Sequence, residues 1–254
     1  MRYSPNAPTM RACAIIPTYN NLATLPSVIG DVAAIIPDII VVNDGSTDGT
    51  SEYLATVSDN VTVVSYPKNR GKGYALRHGF KAALQKGFDT AVTLDSDGQH
   101  LASDIPTMLD CYAADEGSLV VGSRKFDNPN MPSKNSFANR FSNFWFTVQT
   151  ARRLPDTQTG FRVYPLKKIG RHNPLNNRYE AELEILVRCA WRDVDIKSCP
   201  INVYYPPQEE RVSHFRPTMD FVRISLLNTV LCLLAVVYGY PSMGIRKLIK
   251  LLKK

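Results

Sequence analysis

The chain has 254 residues, 44% apolar and 21% charged, and Lys and Arg outnumber Asp and Glu 30 to 23, for a net charge of +7. This is ordinary globular composition rather than that of a disordered chain, and it suffices for one sizeable core or two small ones. The basic balance points to an anionic partner: nucleic acid, a phosphorylated metabolite or an acidic membrane surface.

The N-terminus, MRYSPNAPTMRACAIIPTYN, has no long apolar stretch, so no secretory signal is expected. Beyond it, strand-length apolar runs recur at Ala12 to Ile16, Ile39 to Val42, Val61 to Val64, Ala91 to Leu94 and Leu119 to Val121. Helical patterns separate them, at about Ala23 to Ala34, Thr47 to Val57, Gly73 to Lys86 and Ala102 to Ala113. Ser46 and Ser103 are the expected N-caps of the second and fourth helices. Continuous apolar strands alternating with helices predict an α/β fold, a mostly parallel sheet covered on both faces. Further on, Ser123 to Ser136 reads as a mobile loop. FANRFSNFWFTVQTARR reads as an aromatic-rich helix, and LPDTQTGFRVYP as loop and short strand. YEAELEILVRCAW reads as an amphipathic helix with a solvated acidic face, and DIKSCPINVYY as an edge strand. No repeats or low-complexity linkers occur. Residues 1–217 read as one domain and 218–254 as a hydrophobic, basic helical tail.

Cysteines stand at 13, 111, 189, 199 and 232, with no CxxC, and the histidines are too sparse for a zinc site. The odd count predicts reduced thiols and a cytoplasmic compartment.

Ligands of parallel α/β sheets bind at the carboxyl ends of the strands. Four polar segments follow the first four strands: PTYNN (Pro17 to Asn21), NDGSTDGT (Asn43 to Thr50), PKNRGKG (Pro67 to Gly73) and DSDGQH (Asp95 to His100). Any one of them would read as a turn. Four at one sheet edge read as a site. On an extended segment, residues i and i+2 point the same way, so Asp95 and Asp97 aim at one place. Two such carboxylates repel, and a divalent cation, Mg2+ or Mn2+, relieves the conflict while sharing a substrate phosphate. Gln99 and His100 stand close enough to add or orient a ligand. Lys68, Arg70 and Lys72 suit phosphate charge, with glycines allowing close backbone approach. No dinucleotide fingerprint, P-loop or GxSxG elbow is present.

PTYNN, VVNDGSTDGT, NRGKGYALRHGF, LDSDGQH, GSR and DTQTGFRVYP follow one another in the order of the inverting family 2 nucleotide-sugar glycosyltransferases of GT-A fold, which the chain resembles from about Ala12 to Phe215. It most resembles the dolichol- and polyprenyl-phosphate sugar synthases. The resemblance implies that Pro17, Tyr19, Asn21, Asp44 and Gly45 hold the base and ribose of a GDP- or UDP-sugar. It implies that Arg70, Lys72, Asp95 and Ser96 line the rest of the donor site, and that Asp95, Asp97 and Gln99 carry the metal. Asp97, Arg124 and Arg162 would be catalytic, with both arginines near donor or acceptor phosphate. In the segment ERVSHFRP, Arg211, Ser213 and Arg216 are the counterparts of acceptor-phosphate residues. Two positions depart from the family pattern: Asn21 stands where a glutamate is usual, and Asn43 precedes Asp44 where paired acids are common. Both bear on donor identity.

The implied reaction is an inverting single displacement onto a lipid-linked or membrane-proximal acceptor. A hydroxyl acceptor would need a base, for which Asp156, Glu180, Glu182 and Glu184 are available. A lipid phosphate would need none. The alternative is a catalytically silent nucleotide-sugar or polyprenyl-phosphate binding scaffold. No nucleic-acid recognition motif accompanies the positive charge. His78 and His172 read as structural or exposed.

Ile224 to Ile245 carries no charge and is long enough to span a bilayer, yet a Gly-Tyr-Pro break interrupts it and both flanks are basic. Ser225, Asn228, Thr229, Cys232, Ala235 and Gly239 form a small, polar stripe suited to packing on protein. Leu226, Leu227, Val230, Leu233, Leu234 and Val237 suit lipid or a partner. The expected location is the cytoplasmic side of the membrane, peripheral or monotopic.

Overall fold

The apolar runs form the strands β1 (Ala12–Thr18), β2 (Ile39–Asn43), β3 (Val61–Ser65), β4 (Thr90–Thr93) and β5 (Leu119–Arg124). With β6 (Arg162–Pro165) and β7 (Ile196–Ile201) they make one seven-stranded sheet of order β3-β2-β1-β4-β6-β5-β7. The structure, a computed structural model, describes residues 10–124, 133–169, 175–205 and 217–252. Strands β1 to β4 are parallel, and β5 pairs in parallel with the edge strand β7. Only β6 runs against its neighbours, pairing Thr93 with Arg162 and Val121 with Arg162. The carboxyl ends of β1 to β5 and the start of β6 therefore share one sheet edge. Strand order reverses between β1 and β4, which makes that gap the switch point where a ligand crevice opens.

The helices are α1 (Leu25–Ala33), α2 (Thr50–Leu54), α3 (Lys72–Gln85), α4 (Ile105–Ala113), α5 (Ser133–Thr150), α6 (Leu166–Ile169), α7 (Glu180–Trp191), α8 (Pro217–Leu234) and α9 (Tyr240–Leu252). Alternate strand residues feed two cores. Ala14, Ile16 and Val41 pack under α1, α2 and α4, whereas Cys13, Ile15, Ile40 and Val42 pack under α3 and α6 to α8. This two-sided burial is why the strands read as continuous apolar runs.

Several local expectations need correction. Ser46 does not cap α2, which begins only at Thr50 after Gly49. Its hydroxyl instead accepts the Asn20 N–H at 3.0 Å. Ser103 lies inside a 3-10 turn (Ala102–Asp104), and Asp104 takes the N-cap position of α4. The Asp104 carboxylate turns away to accept the Asn202 backbone and side-chain amides, at 2.6 and 3.0 Å. Helix α7 has no solvated acidic face: Glu180, Glu182 and Glu184 are all buried. Cys111 and Cys199 are not free thiols. Helix α4 packs beside β7, bringing their Cα atoms to 6.5 Å in a disulfide, so the cysteine count gives no guide to compartment. The loop expected from Ser123 to Ser136 falls largely outside the described residues, as does His172. His78 is structural, its Nδ1 3.0 Å from the Tyr74 carbonyl.

The described part of the tail, residues 218–252, packs on the domain. Leu227 and Leu231 of α8 join the main core with Ala235. Asn228 accepts a hydrogen bond from Gln149 of α5 at 2.9 Å. The expected Gly-Tyr-Pro break is instead a π turn (Ala235–Gly239) that carries α8 into α9 without leaving the helix. Gly239 lies flat on the Trp191 indole, where an added Cβ would come within 2.5 Å of Nε1. An extra residue in the turn, with no side chain at that point, lets the helix follow the surface beneath it.

Candidate active site

A cavity of about 710 Å³ opens at the switch point, lined by residues from all four predicted polar segments. Pro17 lies at the end of β1 and Tyr19 and Asn21 follow it, Asp44 follows β2, Lys72 starts α3, and Asp95, Ser96, Asp97 and Gln99 follow β4. Arg178 and Tyr179, just ahead of α7, complete the wall with Asn69 and were not singled out in the sequence. The only sign of them there is a basic-aromatic pair at the head of a helix.

Asp44 is buried, and its two carboxylate oxygens accept the Arg70 and Gly71 amides, each at 2.7 Å. The β2 loop is thereby tied to the RGKG turn. Gly45 sits at φ +72°, and an added Cβ would fall 2.6 Å from the Asn69 nitrogen, so the two loops touch backbone to backbone. Gly45 thus shapes the cavity from behind. Arg70 is exposed, with its guanidinium 5.7 Å from the Tyr74 ring centroid. Asn21 donates to the Ser96 hydroxyl at 2.7 Å, and Thr24 to the Ser96 carbonyl at 2.6 Å, joining the first loop to the Asp-Ser-Asp turn.

Asp95 and Asp97 face the cavity together. Burial raises the Asp95 carboxyl, but Lys72, 2.5 Å away, outweighs it and holds the group below the usual range. Asp97 accepts the Gln99 N–H at 3.0 Å. Burial and the Asp95 charge push its carboxyl up to about 6. The part of that shift due to Asp95 is like-charge repulsion, which a divalent cation would relieve. Among the described residues no group of three or more His, Cys, Asp and Glu side chains could hold a metal. Two carboxylates beside an open cavity nonetheless suit Mg2+ or Mn2+, which keep waters and share ligands with a diphosphate. Gln99 lines the same cavity within reach of that position. The His100 imidazole accepts the Asp95 N–H at 3.3 Å, and burial lowers its pKa to about 4, so the ring is neutral.

The two expected phosphate arginines sit differently. Arg124, at the end of β5, grips Asp156 through Nε at 2.6 Å and a terminal nitrogen at 3.0 Å. Asp156 is therefore engaged and is not an open base. Arg162 is not among the residues that line the cavity. It is wholly buried, donating to the carbonyls of Thr159, Glu182 and Thr157 at 2.8, 2.8 and 3.0 Å. Its role is to fasten the β6 entrance to α7. Arg162→Ala should lower unfolding free energy by about 3 kcal/mol or more, because buried carbonyls lose their donors. Denaturant unfolding checks this; unchanged stability with a raised KM would return the residue to the substrate. Arg211, Ser213 and Arg216 lie outside the described residues.

Residues 13–170 match the family model described as glycosyl transferase family 2. The undecaprenyl-phosphate mannosyltransferase of Micrococcus luteus is 31% identical over 163 residues, 61% of this chain and 66% of that protein. The polyprenol monophosphomannose synthase of Mycolicibacterium smegmatis is 33% identical over 167 residues, 62% of each. The chain thus spans just under two thirds of these relatives. Among solved structures, glucosyl-3-phosphoglycerate synthase from Mycobacterium tuberculosis, in complex with Mn2+, UDP and glucosyl-3-phosphoglycerate, superposes with a TM-score of 0.67 at 19% identity, over 92% of this chain and 86% of that one. The sheet order, the Asp-Ser-Asp turn at the switch point and the matched segment agree: the chain has the GT-A fold and belongs to glycosyl transferase family 2.

Proposed function

We propose that this protein transfers a sugar from a nucleoside diphosphate sugar to a lipid-linked phosphate, with inversion, at a membrane surface. The observation that carries the reading is the cavity of about 710 Å³ at the switch point, whose lining brings together Asp95, Asp97, Arg178 and Lys72, the last paired to Asp95 at 2.5 Å. The nucleoside would lie against Pro17, Tyr19 and Asp44, and the diphosphate beside the Asp-Ser-Asp turn. Mn2+ or Mg2+ held by Asp95 and Asp97, with Gln99 beside them, would neutralise charge on the departing diphosphate. Arg178 adds positive charge in the same cavity. The relatives named for polyprenyl-phosphate sugar transfer and the structural neighbour holding Mn2+ and UDP support this reading.

The acceptor class follows from the acids. Among the described residues, the acidic lining of the cavity is Asp44, Asp95 and Asp97. Asp44 is bound by two amides and Asp95 by Lys72. Asp97, which accepts the Gln99 N–H, is committed to the metal in this reading, so none of the three is left as a base for a hydroxyl acceptor. A phosphate acceptor is already anionic at neutral pH and attacks without one.

The membrane part rests on α8 and α9. A helical stretch of 31 residues, Val222–Leu252, is long and apolar enough to cross a bilayer. Its inner side, however, packs on α5 and α7 along its length, from the Gln149–Asn228 bond to the Lys250–Asp193 ion pair at 2.5 Å. A crossing helix would drag the neighbouring acids and arginines of α7 into hydrocarbon. We therefore read it as lying in the membrane plane, outer face down, on the cytoplasmic side. Titration calorimetry of the full chain with UDP and GDP, with and without Mn2+, tests the donor part. One nucleotide should bind in the micromolar range and at least about tenfold more weakly without metal. No binding of either would contradict the reading.

A further inference from the structure

We propose that Lys72 is an internal counter-cation that occupies Asp95 until the metal arrives and then moves fully onto Glu182. This rests on the metal reading above, and it changes the part expected of Lys72 from nucleotide contact to positioning. The Lys72 ammonium lies 2.5 Å from Asp95 Oδ1 and 3.0 Å from Glu182 Oε2, with both its own side chain and that of Glu182 nearly closed to solvent. It is thus shared between an acid that faces the cavity and one that stands behind it on α7. Gly160 presses on this pair: a Cβ there would come within 2.5 Å of the ammonium and 2.7 Å of Asp95 Oδ2. The ammonium therefore has little room on the β6 side.

Glu182 is built to receive it. Its second oxygen, Oε1, is buried with no hydrogen-bond partner. A buried carboxylate oxygen left unpaired is costly, and an ammonium with three N–H groups can serve both oxygens. The formal charges agree. Asp95, Asp97 and Glu182 set three negative charges against the Lys72 ammonium and the buried Arg162 guanidinium near Glu182, leaving net negative charge for a cation to balance. Lys72 keeps Asp95 ionised and aimed while the site waits. Once a cation binds the same carboxylate, like-charge repulsion drives the ammonium toward Glu182.

This exchange predicts opposite signs for two substitutions that a purely structural ion pair would not separate. Lys72→Met removes the competitor and should tighten binding of Mn2+ alone by about tenfold. Glu182→Gln is nearly isosteric, takes away the receiving charge, leaves the ammonium on Asp95 and should weaken Mn2+ binding by about tenfold. The double variant should follow Lys72→Met, because no ammonium remains to be received. The measurement is titration of full-length protein with Mn2+ without nucleotide, reading free aquo-Mn2+ by electron paramagnetic resonance, with circular dichroism as a fold check. Weaker or unchanged binding in a folded Lys72→Met protein overturns the proposal, as does unchanged binding in Glu182→Gln. Should Lys72→Met fail to fold, the Glu182→Gln result still decides. Metal binding that is lost in Asp97→Asn but indifferent to both substitutions would sink the exchange and leave the metal site standing. A wild-type chain that binds no Mn2+ would overturn both.

Discussion

Asp97→Asn is expected to abolish sugar transfer, by about a thousandfold or more, and to remove metal-dependent nucleotide binding while leaving the fold intact. The Asp97 carboxylate makes one backbone contact, the Gln99 N–H at 3.0 Å, and an asparagine oxygen can accept that same bond. What the substitution removes is charge. Burial, and after it the neighbouring Asp95 charge, push the Asp97 carboxyl up to about 6, and a cation would bind and stabilise its ionised form. Thermal unfolding should therefore match wild type, or exceed it slightly as the repulsion with Asp95 disappears. Calorimetry should show nucleotide binding of the variant to be the same with and without Mn2+. Turnover near the wild-type rate would remove the metal assignment from this turn.

The second large effect concerns the membrane face. Changing Leu233, Val237 and Leu248 together to Glu should release the protein from anionic liposomes without weakening nucleotide binding. These side chains are 66%, 78% and 57% exposed on the outer side of α8 and α9. Burying each in an interface would contribute on the order of 1–2 kcal/mol, and the new charges would add repulsion from the lipid. Arg246, Lys247 and Lys250 would contribute on the order of 1 kcal/mol each at low salt, with Lys250 discounted for its pairing to Asp193. Co-sedimentation should therefore fall partly with added salt in the wild type and almost completely in the triple variant. Truncation is the wrong experiment, because removing α8 strips Leu227, Leu231 and Ala235 from the main core. If the wild type stays in the supernatant with anionic vesicles, the outer face serves a protein contact, and light scattering for a dimer becomes the next reading.

The parallel sheet was legible because strands covered on both faces must be apolar throughout, and β1 and β2 are. The site was legible for a related reason: parallel strands deliver the residues after them to one edge, so four short polar segments far apart in sequence converge. The split of α8 and the turn after it into a packed stripe and an outer face could be read in part: Asn228, Ala235 and Gly239 are buried and Val230, Leu233 and Val237 exposed, but Thr229 of the expected packed stripe is exposed and Leu227 of the expected outer face is in the core. What could not be read depends on contacts between distant segments. Arg162 follows a glycine-containing loop and resembles a phosphate arginine, but the antiparallel return of β6 carries it inward among carbonyls. The α7 glutamates alternate as solvated acids do, yet Glu182 meets Lys72 and Glu184 meets Arg188 at 2.6 Å inside the protein. Cys111 and Cys199 are 88 residues apart, and only the packing of α4 beside β7 brings them together.

The central claim, transfer to a lipid phosphate at the Asp95–Asp97 site, is tested most directly by a transfer assay. Full-length protein, Mn2+ and polyprenyl phosphate in anionic vesicles are incubated with radiolabelled UDP- and GDP-sugars, and label is counted in the organic phase. The expected result is label entering that phase with one class of donor, dependent on polyprenyl phosphate and on Mn2+, and absent with Asp97→Asn. The contrary result is label that stays aqueous with every donor while the nucleotide still binds, or that passes to a soluble hydroxyl acceptor without any lipid phosphate.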